Sequence, residues 1–189
     1  LASLCFVILG ILGSRGAADT HFSAFVIAGL AVGMVADVLL NLRYVYQRWD
    51  KLIFACGTVV FLIGHVLYTI AVWPRAAIPV LFVILGIVAT FFIMRWIFTQ
   101  ISAEGALKAI GCCYVGIVVI LNFLALSMLF AHFGAQSLIF LMGTLLFLAS
   151  DVVLILNTFG GNPQFERRIL NLTLYYIGQI LIALSLQLG

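Results

Sequence analysis

The stretch Leu138–Asn157 reads LIFLMGTLLFLASDVVLILN. It holds twenty residues and one full charge, Asp151. About twenty apolar residues at ~1.5 Å rise each cover the ~30 Å hydrocarbon core of a bilayer, so the stretch predicts a transmembrane helix. An aspartate inside such a helix costs roughly 2.5–3.5 kcal/mol on insertion scales and needs a partner, a proton or a water-filled cavity. A second stretch, Phe22–Asn41, reads FSAFVIAGLAVGMVADVLLN and repeats the arrangement with Asp37 as its only charge.

The rest of the composition extends this reading over the whole chain. Of 189 residues, 66% are hydrophobic and 8% charged, whereas a soluble domain is about 25% charged. Mean hydropathy is +1.31. A net charge of +3, dispersed along the chain, gives no basic stripe of the kind that grips nucleic acid. Cys5, Cys56, Cys112 and Cys113 lie in apolar runs without a CxxC pair, and read as small buried residues rather than a disulfide or metal site. No signal-peptide cleavage pattern is visible.

Seven apolar segments predict helices over Ala2–Gly13, His21–Leu42, Leu52–Trp73, Ile78–Phe98, Ala109–Phe130, Leu138–Asn157 and Ile169–Leu188. The expected fold is all-α, a polytopic integral membrane helical bundle forming one domain over residues 1–189. The first apolar run is short and starts at Leu1, so a further N-terminal helix is expected. Loops 2–3, 4–5 and 6–7 and their flanks carry Arg43, Arg48, Lys51, Arg95, Lys108, Arg167 and Arg168; the alternate loops carry Arg15 and Arg75. The positive-inside rule then places the first set in the cytoplasm.

Orientation fixes depth. Asp37 lies ~7–8 Å, and Asp151 ~10 Å, from the inner ends of their helices. Tyr175, Tyr176 and Gln179 fall ~9–15 Å along the last helix from the same side. Polar groups from three helices are thus expected at one level of the cytoplasmic half. Gly29, Gly33, Asp37 and Asn41 form one helical stripe, whose glycines allow close helix approach. Asn171, Tyr175 and Gln179 form another. His65 and Tyr68 share a face of the third helix, with His65 ~20 Å from its inner end and so nearer the outer half. For each of these residues the competing explanation is an interhelical hydrogen bond with no role in chemistry.

Elimination narrows the chemistry. A zinc hydrolase needs about three ligands on one site; His21, His65 and His132 lean outward, away from the aspartates. A retinal protein needs a lysine deep in a helix, and Lys51 and Lys108 sit at helix ends. No GxSxG elbow is present. Two carboxylates remain, a pair suited to general acid–base work. A proton-coupled transporter could use the same pair, although no inverted repeat accompanies it.

Four segments carry a resemblance. Gly143–Asn157 (GTLLFLASDVVLILN), Leu174–Ser185 (LYYIGQILIALS), Phe61–Trp73 (FLIGHVLYTIAVW) and Ala28–Leu40 (AGLAVGMVADVLL) resemble, in order and spacing, the Ser-Asp, Tyr-Tyr-x-x-Gln, His-x-x-Tyr and Gly-Leu…Gly-Asp helices of the YhhN family. That family includes the transmembrane protein 86 group of lysoplasmalogenases. The chain departs from the pattern at Ala36, where the family usually has Gly, and at Gly33, where Ser is common. Family members are usually described with eight helices, which fits the expected extra one.

The resemblance implies hydrolysis of the vinyl ether bond of lysoplasmalogens to a fatty aldehyde and glycerophosphocholine or glycerophosphoethanolamine. No metal or organic cofactor is required. The expected catalytic pair is Asp37 and Asp151. Tyr175 and Gln179 would orient water or the ether oxygen, His65 and Tyr68 would line the deeper pocket, and Asn41 would join them in substrate binding. The expected partners are a lysophospholipid substrate and membrane lipids. The expected location is the cytoplasmic membrane of a bacterium or the endoplasmic reticulum of a eukaryote.

Overall fold

The structure, a computed structural model, describes residues 2–101 and 105–189. Among these residues every regular element is helical. The helices are α1 (Ala2–Gly13), α2 (Thr20–Leu42), α3 (Asp50–Val72), α4 (Pro79–Gln100), α5 (Gly105–Ala131), α6 (Ala135–Phe159) and α7 (Phe165–Ser185). Six are long and apolar enough to cross a membrane; α1, with 12 residues, is shorter. The chain is a multi-pass integral membrane protein.

Helix ends follow local chemistry. Asp19 accepts from the Phe22 N–H at 2.9 Å and caps α2. Pro79 opens α4, where its missing N–H costs nothing. Gly160 ends α6, and Gly161 follows at φ +82°, a left-handed turn that favours glycine. Three helices start well before the residue that hydropathy predicts: α5 at Gly105 rather than Ala109, α6 at Ala135 rather than Leu138, and α7 at Phe165 rather than Ile169. Their first turns carry polar groups, Lys108 in α5, Gln136 and Ser137 in α6, and Glu166, Arg167 and Arg168 in α7, so they leave the apolar window without leaving the helix.

The packing order is not the chain order. α2 packs on α3, α3 on α5, α5 on α6 and α6 on α7, while α1 lies against both α2 and α7. α4 sits outside, packed mainly on α5, and buries the least of any span. Its Phe91 and Phe92 are each 63% exposed. Such a surface would drive aggregation in water, but against lipid tails it carries no penalty.

α6 and α7 approach most closely at two glycines. A Cβ on Gly143 would lie 2.8 Å from the Gly178 carbonyl oxygen, and one on Gly178 would lie 2.8 Å from the Gly143 carbonyl oxygen. Backbone stands in the way on both sides, so no rotamer change can relieve the clash. Gly29 and Gly33 face α3 and α7: a Cβ at Gly29 would overlap the Tyr68 ring, and one at Gly33 would lie 3.2 Å from the Gln179 amide nitrogen. The stripe expected from the sequence therefore holds polar side chains at close range.

Gly143→Ala and Gly178→Ala should each destabilise the protein by about 1–3 kcal/mol, the usual range for overpacking. Thermal unfolding in detergent checks this; an unchanged midpoint in both variants would contradict the close packing.

Candidate functional site

Between α2, α3, α4, α5, α6 and α7 lies a cavity of about 250 Å³ at the end of the bundle that carries Arg43, Lys108 and Arg168. Asp37 and Asp151 both line it, as do Asn41, Tyr114, Ser150, Asn171 and Tyr175. Phe61, Phe147, Leu154 and Ile155 supply apolar wall. Loops 2–3, 4–5 and 6–7 thus share one end of the molecule, as the distribution of basic residues requires.

Each carboxylate has its own donors. The Tyr175 hydroxyl donates to Asp37 Oδ2 at 2.8 Å, and the Ser3 hydroxyl donates to the same oxygen. Asp37 thereby ties α2 to α7 and to α1. The Tyr114 hydroxyl donates to Asp151 Oδ2 at 2.9 Å, joining α5 to α6. Asp151 is 5% exposed, whereas Asp37 is half-buried. Asn171 Nδ2 donates to the Ser150 carbonyl at 2.8 Å and holds α7 against α6 beside Asp151. The Ser150 hydroxyl is buried on the cavity with no partner among the described residues.

Behind the cavity lies a second polar layer. The Tyr68 hydroxyl donates to Gln179 Oε1 at 3.0 Å, and Gln179 Nε2 reaches the Tyr175 hydroxyl at 3.5 Å. A chain of contacts therefore runs from α3 through α7 to Asp37. His65 donates through Nδ1–H to the Phe61 carbonyl at 2.8 Å, one turn back on its own helix. Its ring lies edge-on to Phe147, Tyr68 and Tyr114, with centroids 4.5, 5.8 and 5.6 Å away. Phe147 and Phe61 in turn pack on Tyr175 at 5.3 and 5.8 Å.

This geometry sorts the residues singled out in the sequence. Asp37, Asp151, Tyr175 and Asn41 meet on the cavity. Asn41 is exposed at its mouth and donates to the Asp37 carbonyl at 2.8 Å. His65, Tyr68 and Gln179 do not line the cavity. They are buried one layer behind it, with Phe61 and Phe147, which do line it, between them and the chamber. His65 is also nearer the carboxylates than its depth suggests, because the Tyr114 ring that packs on it carries the hydroxyl bonded to Asp151.

Two residues of the site escape a reading of the sequence. Ser3 lies on the short first helix, and Tyr114 is the phenol of α5. Tyr114 has a usable signal, since it falls ~14 Å from the start of its helix and thus near the level of the aspartates. Ser3 has none, because small hydroxyls are common in apolar helices.

The arrangement brings two carboxyl groups, each with a phenol donor, to one mostly apolar chamber. Among the described residues no three His, Cys, Asp or Glu side chains converge as metal ligands would. No curated protein and no solved structure matches the chain. A family model does match it, over residues 1–186, and the chain belongs to the YhhN family.

Proposed function

We propose that the protein is a lysoplasmalogenase, hydrolysing the vinyl ether bond of single-chain plasmalogen lipids. One observation carries the reading: two carboxylates from α2 and α6, each with its own tyrosine donor, line one cavity with apolar walls and a cationic mouth. Membership of the YhhN family supports it.

The chemistry is dictated by the bond. Protonation of the vinyl β-carbon creates an oxocarbenium ion; water adds at the α-carbon, and the hemiacetal collapses to an aldehyde and an alcohol. The first step needs a carboxylic acid, and the second a carboxylate that stabilises the cation and takes a proton from water, a division that parallels glycoside hydrolysis. We assign the carboxylate role to Asp37, whose Oδ2 receives two hydroxyl donors, an arrangement that favours negative charge. Asp151, with one donor and little exposure, supplies the proton. The Ser150 hydroxyl, adjacent and unpartnered among the described residues, is placed to hold water or the ether oxygen. Tyr68 and Gln179 act at one remove, by fixing Tyr175.

Incubating the detergent-purified protein with a lysoplasmalogen should release fatty aldehyde. Asp37→Asn and Asp151→Asn should each lower turnover by at least ~100-fold, the usual scale of acid–base catalysis, while leaving the fold intact. A fully active Asn variant would remove that residue from the reaction. No aldehyde from folded parent protein would overturn the hydrolase reading and direct attention to proton flux in liposomes.

Ser3→Ala should reduce turnover by roughly tenfold, as expected for one lost hydrogen bond to a charged group. Tyr114→Phe should also lower turnover, because its hydroxyl stabilises the Asp151 carboxylate that forms once the proton has been given up. Equal activity in both variants and the parent would show that neither the Ser3 nor the Tyr114 hydroxyl contributes to turnover.

A further inference from the structure

A polar vestibule adjoins the mouth of the cavity and shares Arg43, Tyr44, Asn157, Thr158 and Arg168 with it. The two guanidinium groups meet on one aromatic ring: Arg43 lies 4.8 Å and Arg168 4.4 Å from the Tyr44 centroid. Arg43 Nη2 also donates to the Tyr44 hydroxyl at 2.7 Å, and its guanidinium lies 5.2 Å from the Phe54 ring. Both cations are therefore flanked by aromatic rings, and apart from the Arg43–Tyr44 bond neither guanidinium has a hydrogen-bond partner among the described residues.

Neither arginine has a carboxylate within 4.0 Å among the described residues, where the one ion pair is Arg75–Asp19 at the other end of the bundle. Asp50 lines the vestibule as well but pairs with neither. Arg168 occupies the first turn of α7, a position that runs against the helix dipole. The turn is nonetheless fixed: Asn157 Oδ1 accepts from the Gln164 N–H at 2.7 Å, and the Gln164 carbonyl accepts from the Arg168 N–H at 3.2 Å. Two like charges and a helix N-terminus thus share the vestibule with Asp50, and α7 carries Glu166 in its first turn, yet no carboxylate lies within ion-pair distance of either guanidinium among the described residues; an anion between the two would be attracted by both. Planar guanidinium forks match phosphate oxygens in particular.

We infer that Arg43 and Arg168 form a subsite for the phosphate of a single-chain phospholipid headgroup. The inference deepens the proposed function and rests on it for the nature of the attached chain. A phosphate held in the vestibule fixes how far the lipid enters, and so which bond of the glycerol–chain junction reaches Asp37 and Asp151.

The test separates binding from catalysis. The probes are a saturated alkyl-glycerophosphocholine, which has no vinyl bond to cleave, the corresponding alkylglycerol without phosphate, and inorganic phosphate. Dissociation constants are measured for the full chain in neutral detergent. Arg43→Gln and Arg168→Gln should each weaken the phospholipid about tenfold and leave the alkylglycerol unchanged, while Arg167→Gln, which lines neither chamber, changes neither. Inorganic phosphate should bind far more weakly than the phospholipid.

Unchanged phospholipid affinity in both Gln variants would overturn the subsite. So would inorganic phosphate binding as tightly as the phospholipid, which would mark a site for the free anion. Neither result bears on aldehyde release. Conversely, a parent protein that releases no aldehyde but shows the arginine-dependent binding would keep the subsite and refute the reaction.

Discussion

Everything in this bundle depends on how two carboxyl groups survive inside a membrane. A carboxylate cannot be carried into hydrocarbon without a partner, and no cation lies within 4.0 Å of either one among the described residues. The solution is phenolic: Tyr175 serves Asp37 and Tyr114 serves Asp151. A phenol is long enough to cross from a neighbouring helix, apolar enough to pack along the way, and neutral, so it solvates a carboxyl group without cancelling its reactivity. An arginine at the same place would have secured the fold and fixed the carboxylate in its charged form.

The surrounding packing serves these two bonds. Tyr175 must stand at a set height and angle, and Phe61, Phe147 and Phe6 hold its ring edge-on. Gly143 and Gly178 bring α6 against α7 closely enough for Asn171 to reach the Ser150 carbonyl beside Asp151. The polar layer of Tyr68 and Gln179 would be costly in hydrocarbon if left unpaired, yet each satisfies the other. Among the described residues the arginines and lysines lie toward the helix ends, so the path grades from a cationic vestibule to a cavity whose walls are mostly apolar around the two carboxyl groups.

The membrane class, the spans and the level of the site are legible in the sequence because they depend on hydropathy and a fixed rise per residue. Counting turns from the basic loops is enough to bring Asp37, Asp151 and Tyr175 to one height. The identity of neighbours is not legible in the same way. Depth and phase say where a side chain stands on its own helix, but not that α5 rather than α4 packs on α3, so the height of Tyr114 can be read while its partner cannot. Height alone makes His65 look remote, although lateral packing through Tyr114 brings it near Asp151. Hydropathy starts α5 and α7 too late because polarity marks where lipid ends, not where backbone hydrogen bonding ends.

The gradient from vestibule to cavity also governs the fate of the products. A single-chain phospholipid is amphiphilic throughout its stay, with one end suited to each chamber. Severed at the junction, it becomes one fragment that belongs wholly to water and another that belongs wholly to lipid. Neither fragment retains the tether that held the other half in place, so each leaves toward its own phase. Under the proposed reaction, partition between the two phases separates the products and draws turnover in one direction without any moving part.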